Sequence, residues 1–241
     1  YEASQNVRYL YQRGLIREKQ ITNEDMRHHA AGSPTRSPKE SLRFYGLEQS
    51  TRNDLRLAAE AGYPAARLDL ILIDISKPET EQALQALMDT SPRLAHLGLG
   101  RWHRMQFLLD DRQADQHRTQ AEHHLREAIA AFPNMPGPRN NLAVALARRG
   151  DREGAREQLT ELLEISPNNF SALFNMGALA AQETNAPAAI PWLRRAMAQM
   201  PPANFRQYLN DPDLAPIRDT IEFQQLLQEI DPVFPSPPPA P

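Results

Sequence analysis

The chain has 241 residues, 41% of them hydrophobic and 24% charged, with a formal net charge of -3 and no cysteine. That is enough apolar material for a continuous core, while the missing cysteines exclude disulfides, thiolate nucleophiles and thiolate-bound zinc. No stretch approaches the ~20 apolar residues of a membrane-spanning helix, and neither end is basic enough for a surface that tracks nucleic-acid phosphates.

Residues 1–50 are expected to form an N-terminal helical segment with a loop at 30–39, Ala-Ala-Gly-Ser-Pro-Thr-Arg-Ser-Pro-Lys. The first 19 residues carry Arg8, Arg13, Arg17 and Lys19 against Glu2 and Glu18. That cationic bias fits the cytoplasmic side of a membrane helix placed upstream of Tyr1, and equally an ordinary solvated helix. Residues 51–101 read as degenerate helix pairs. A first helical run ends near Gly62, and Leu68 to Ile75 form a second. Ser76 and Glu79 offer a capping box for a third helix holding Leu84 and Leu87. Ser91-Pro92 then opens a longer helix through Leu94, Leu97, Leu99, Trp102, Met105 and Leu109.

From residue 102 the chain repeats itself with a period of 34: Pro133, Pro167 and Pro201; Ala121, Ala155 and Ala189; Leu125, Leu159 and Leu193. A further register reads Ala128, Leu162 and Ala196, and another Leu109, Ala143 and Gly177, small in the last two only. The units are 102–135, 136–169 and 170–203. In the middle one, Asn140 to Arg149 has helical apolar spacing, Gly150 suits a left-handed C-terminal position, and Asp151 can cap the next helix. That helix runs through Ala155, Leu159, Leu162, Leu163 and Ile165 until Pro167 forbids continuation. Small side chains at Ala143 and Ala155 let two antiparallel helices approach closely. The third unit has Thr184 at the turn and Pro191 early in its second helix, which is expected to loosen or bend that helix start.

These positions resemble the tetratricopeptide repeat (TPR) family: Asn141-Leu142-Ala143, Gly150, Ala155, Leu159 and Pro167, and again Asn175-Met176-Gly177, Ala189, Leu193, Ala196 and Pro201. The run from Leu55 to Ala66 resembles the short helix pairs of Sel1-like repeats. The resemblance implies an all-α, right-handed superhelical solenoid of antiparallel helix pairs. Asn210 to Arg218, followed by Phe223, Leu226 and Leu227, resembles the Asp-Pro-Asp-Leu segment that closes bacterial TPR arrays. Residues 204–231 are accordingly expected to cap the stack, with Asp211 or Asp213 capping a short helix under Leu214, Ile217 and Phe223. Six of the ten residues 232–241 are proline, an extended disordered tail by composition.

No Gly-rich phosphate loop, His-Glu-x-x-His or Gly-x-Ser-x-Gly element occurs. His103, on the first helix of unit one, is expected to meet His123 on the second, near His117 and His124. Arg104, Arg118 and Arg126 set that face against a cation, so it is read as solvated, with no metal and no cofactor. Asp110-Asp111 and the pair Asp211/Asp213 read as helix termini capped by carboxylates. Arg148, Arg149, Arg152 and Arg156 alternate with Glu153 and Glu157, a self-paired surface.

What the TPR resemblance implies is a non-enzymatic module that binds a protein partner in the groove lined by first helices. Carrying the family's groove positions across gives Gln106 and Asp110, then Asn140, Val144 and Arg148, then Phe174, Ala178 and Gln182. Val144, Phe174 and Ala178 stand where a carboxylate clamp needs Lys, Arg or Asn, which argues against a clamp of the chaperone-binding kind. By analogy of architecture the expected setting is a bacterial envelope or secretion assembly, for example Pel-like exopolysaccharide synthesis and export. The chain would sit at the cytoplasmic face of the inner membrane, with the periplasm as the other compartment. The partner would be a protein of a membrane-associated complex, with neither nucleic acid nor a small-molecule substrate. The competing expectation is a ligand- or metal-binding regulatory subunit using the His103/His123 face.

Overall fold

The computed structural model describes residue 12 and residues 38–230 other than 74, 76 and 110, with side chains from residue 46 onward except at 47, 111, 202 and 203. The segment through residue 37, with most of the expected loop at 30–39, lies outside the described residues, as do Ser76, Asp110 and the tail at 231–241. Among the described residues every regular element is helical, and the chain divides into two compact units, 1–131 and 132–241.

In the first unit, α1 (Pro38–Glu60) turns into α2 (Pro64–Ile73) at Gly62, whose φ of 86° lies in the left-handed region that glycine tolerates. Helix α3 (Thr80–Ala86) and a 3-10 turn at Leu87–Asp89 lead to α4 (Pro92–Leu109). After a second 3-10 turn, Asp111–Gln113, the chain returns antiparallel as α5 (Ala114–Ala131). Glu79 is the N-cap of α3 and makes no side-chain cap hydrogen bond there, while Ser76, the other member of the expected capping box, lies outside the described residues. Leu68, Leu72, Leu84, Leu87, Leu99 and Trp102 form one buried cluster, and Leu55, Ala58 and Ala66 another. α1 runs unbroken through residue 50, and α4 through residues 101 and 102, where the sequence reading placed segment boundaries.

The second unit holds two complete helix pairs, α6 (Pro136–Arg149) with α7 (Arg152–Ile165), and α8 (Phe170–Gln182) with α9 (Ala186–Met197). The turn chemistry follows the sequence. Gly150 has φ 91°, and the Gly154 N–H donates to the Asp151 carboxylate at 2.9 Å. Asn169 and Asn185 cap α8 and α9 by accepting from the N–H groups of Ala172 and Ala188. Thr184 takes φ 56° in the place of the turn glycine. Helix α9 continues through Pro191, which falls on the exposed face where water can satisfy the carbonyl that lost its partner.

Beyond α9 come α10 (Pro202–Phe205), 3-10 turns at Arg206–Asn210 and Pro212–Ile217, and α11 (Ile221–Ile230). Asp211 starts the second turn by accepting from the Asp213 N–H at 2.9 Å. Phe205, Leu214, Ile217, Phe223 and Leu226 are buried with Leu173, Leu193 and Ala196 in one cluster, which is the cover expected of a capping segment.

One register shifts. Leu193 closes over Gly177, where an added Cβ would lie 2.7 Å from its Cδ2, and Leu125 closes over Gly100, with the corresponding separation 2.8 Å. The first pair is 16 residues apart and the second 25, and the difference lies mainly in the helices: both α4 and α5 run about one helical turn further past the contact than α8 and α9 do, while the connection between them is hardly longer. Leu109, which counting by 34 aligns with Ala143 and Gly177, is 70% exposed at the end of α4. Gly100 is the small residue of the first pair.

Candidate functional site

The expected groove is largely filled by the protein's own C-terminal turns. The 3-10 turn Pro212–Ile217 packs on α8, and Arg148 at the end of α6 donates to Asp213 at 3.0 Å. Phe174 is only 7% exposed, with its ring 6.1 Å from Phe170, 6.5 Å from Phe205 and 5.7 Å from Tyr208. It is a core residue and offers no exposed anchor, a correction to the expectation above, and Ala178 is buried as well. Asn140 accepts from the Asn175 side chain at 2.9 Å, which ties α6 to α8. What stays open is a void of about 30 Å³ bordered by Val144, Arg148, Asn175, Ala178, Gln182 and Asp213. Gln106 is half-buried on α4, and Asp110 lies outside the described residues. With the nine-residue shift, the counterparts of Asn140 and Val144 on α4 are Leu97 and Arg101.

The arginine face is self-paired. Arg156 bridges Glu153 and Glu183, and Arg149 meets Asp151. A cleft that the sequence did not announce, about 410 Å³, lies against α11 and is bordered by Arg206, Leu209, Arg218, Phe223, Leu227 and Ile230. Its residues come from three short elements with no common period, so no spacing could have revealed it.

Five histidines converge between α4 and α5, though not in the pairing expected. The Nδ1 atoms of His103 and His117 are 2.9 Å apart, and those of His96 and His124 are 2.8 Å apart. In each pair one imidazole must donate and the other accept. His103 stacks on His124 with ring centroids 5.6 Å apart, and the edge of Trp102 faces both His103 and His117. His123 joins His96 and His124, with ring centroids 5.9 and 5.0 Å away. His103 is 6% exposed and so belongs to the core and not to a solvated face, while His123 at the edge of the cluster is exposed. Burial, reinforced by His124 and His117, pushes the His103 imidazole down to about 4. Burial with His96 and His123 does the same to His124, also to about 4. Burial lowers His96 too, opposed by the Glu127 carboxylate.

Antiparallel helix pairs of this period and turn chemistry, closed by a capping segment, define an all-α TPR-type solenoid. Residues 113–180 match the tetratricopeptide repeat family, and the chain carries TPR repeats. It is 42% identical over 98 residues to TPR repeat-containing protein PA4299 of Pseudomonas aeruginosa, a match covering 40% of this chain and 36% of that protein. Among solved structures it resembles TTC0263, a thermophilic TPR protein of Thermus thermophilus, with a TM-score of 0.57 at 16% identity over 70% of this chain and 94% of the other. MamA aligns with a TM-score of 0.48 at 17% identity, over 68% of this chain and 95% of its own.

Proposed function

We propose that this chain is a non-catalytic scaffold of a bacterial envelope or secretion assembly and that it holds a protein partner on the surface around Val144, Arg148 and Gln182. The observation that carries the reading is the repeat array itself, since TPR folds serve as protein-interaction scaffolds. Asn140, Val144, Arg148 and Gln182 remain the proposed contacts, while Phe174 and Ala178 support them from the core. A setting in exopolysaccharide synthesis and export of the Pel kind, at the cytoplasmic face of the inner membrane, is supported by the cationic residues 1–19 and by analogy of architecture.

Site-specific photo-crosslinking in the native organism tests it. A crosslinker at Arg148 or Gln182 is expected to capture a membrane-associated protein that a crosslinker at Glu153, on the exposed side of α7, does not capture. The same products from all three positions would overturn the groove assignment.

A further inference from the structure

We propose that His96, His123 and His124 form a site for a borderline divalent transition metal, with Zn2+ as the type ion, held between α4 and α5. One ligand atom from each of the three side chains lies within 4.8 Å of the other two, and the closest pair, His96 and His124 Nδ1, is 2.8 Å apart. Tetrahedral Zn–N bonds of ~2.0–2.1 Å require nitrogen–nitrogen edges of about 3.3 Å, which falls between those two values. To reach that edge the His96 and His124 Nδ1 atoms part slightly from 2.8 Å, and the His123 ring, which is exposed, has room to turn inward. Three imidazoles with a fourth position open to solvent suit Zn2+, Cu2+ or Ni2+, and they suit Mg2+ and Ca2+ poorly.

The repeat does not call for histidine at these positions. The period-34 equivalents of His123 and His124 are Glu157 and Gln158 in the second repeat, and Pro191 and Trp192 in the third. Packing of helix pairs therefore proceeds without imidazoles there. Two of the three arginines that argued against a cation are engaged elsewhere, since Arg118 pairs with Asp115 at 2.7 Å and Arg126 with Glu122 at 3.2 Å. The Glu127 carboxylate acts on His96 in the direction that favours positive charge. Without an ion the two facing Nδ1 atoms must share one proton. With an ion both lone pairs point inward and both protons sit on Nε2.

The test is calorimetric titration of the untagged full chain with Zn2+, repeated with Co2+ for its visible spectrum. One ion per chain with tetrahedral Co2+ absorption is expected. His123→Ala alters only an exposed side chain and is expected to weaken binding at least ~10-fold with unchanged helicity, and His96→Ala with His123→Ala to abolish it. His28→Ala with His29→Ala is expected to leave binding intact. No saturable uptake by the wild-type chain, or uptake that survives the His96/His123 pair, or uptake lost with His28 and His29, would each overturn the assignment.

Discussion

Leu125 sits directly on the backbone of Gly100, so close that a Cβ at that position would come within 2.8 Å of its Cδ2 and Cγ. A methyl group there forces the leucine off its seat, an overpacking cost of ~1–3 kcal/mol, against ~1 kcal/mol gained from replacing a helical glycine. Gly100→Ala is therefore expected to lower the melting temperature modestly and Gly100→Val substantially. Gly46 in α1 has nothing within 4 Å of its would-be Cβ, so Gly46→Ala should raise stability by about 1 kcal/mol. Thermal melts on the three variants check the ordering, and an unaffected Gly100→Val would contradict the shifted register.

The same contact shows what the sequence could and could not disclose. Residues 133–201 are legible because period and apolar spacing agree in both units, and Gly150 with Asp151 marks the turn of the middle one. Unit one keeps the period in its second helix but not in its first, since α4 and α5 are each extended by about one helical turn, which leaves the helix faces intact but shifts the count between them. Counting by 34 therefore picked Leu109 where the packing uses Gly100. Phe174 reads as a groove residue in the sequence because the residues that cover it, Phe205 and Tyr208, are linked to it by no period. Four of the five clustered histidines are those expected from the sequence; His96 is not among them, and His103 pairs with His117 where His123 is expected, because the period says nothing of which ring on α4 faces which ring on α5.

Phe174→Ala should behave as a core truncation. Its ring is buried among Phe170, Phe205 and Tyr208, so removal is expected to cost ~3–5 kcal/mol. Denaturant unfolding followed by circular dichroism measures this. A loss under about 1 kcal/mol would mean the ring is not packed as described.

Ala155 has no exposed surface on α7, which packs against α6, so Ala155→Arg must bury an unpaired guanidinium or force neighbouring helices apart. Either outcome costs several kcal/mol, of order ~3–5, enough to unfold a marginally stable unit. Ala155→Ser, nearly the same size, is expected to retain the fold. Equal melting temperatures for Ala155→Arg and the wild type would refute the packing of this pair.

Arg194 and Glu229 tie α9 to α11 through Nε and Nη2, the shorter contact being 2.6 Å, and the hydrogen bond to Glu229 raises the Arg194 pKa. Both side chains are roughly two-fifths exposed, at 45% and 39%, so solvent screens the pair. Arg194→Ala is expected to cost no more than ~1 kcal/mol, with the difference shrinking in high salt. A salt-independent loss of several kcal/mol would show that the cap depends on this bridge more than on Phe223 and Leu226.

Acid should loosen the first unit through its histidines. His103 and His124 titrate near 4 in the folded chain because burial disfavours their charged forms, against an ordinary value of 6.5. In the window from about 6.5 down to about 4 the unfolded chain binds more protons than the folded one, so stability is full above the window and is lost as the pH falls through it. The groups facing this pair are His96, His117 and His123, which add repulsion once protonated, and Glu127, which offsets part of it at His96. Melting temperatures taken from pH 7 to pH 4 are expected to fall more steeply for the wild-type chain than for His103→Gln with His124→Gln, whose neutral amides do not titrate. Zn2+ bound at His96, His123 and His124 should hold the wild-type melting temperature up at the top of that range and lose its effect toward the bottom, as protons displace the metal. Parallel curves for the two proteins would place the acid sensitivity outside the cluster.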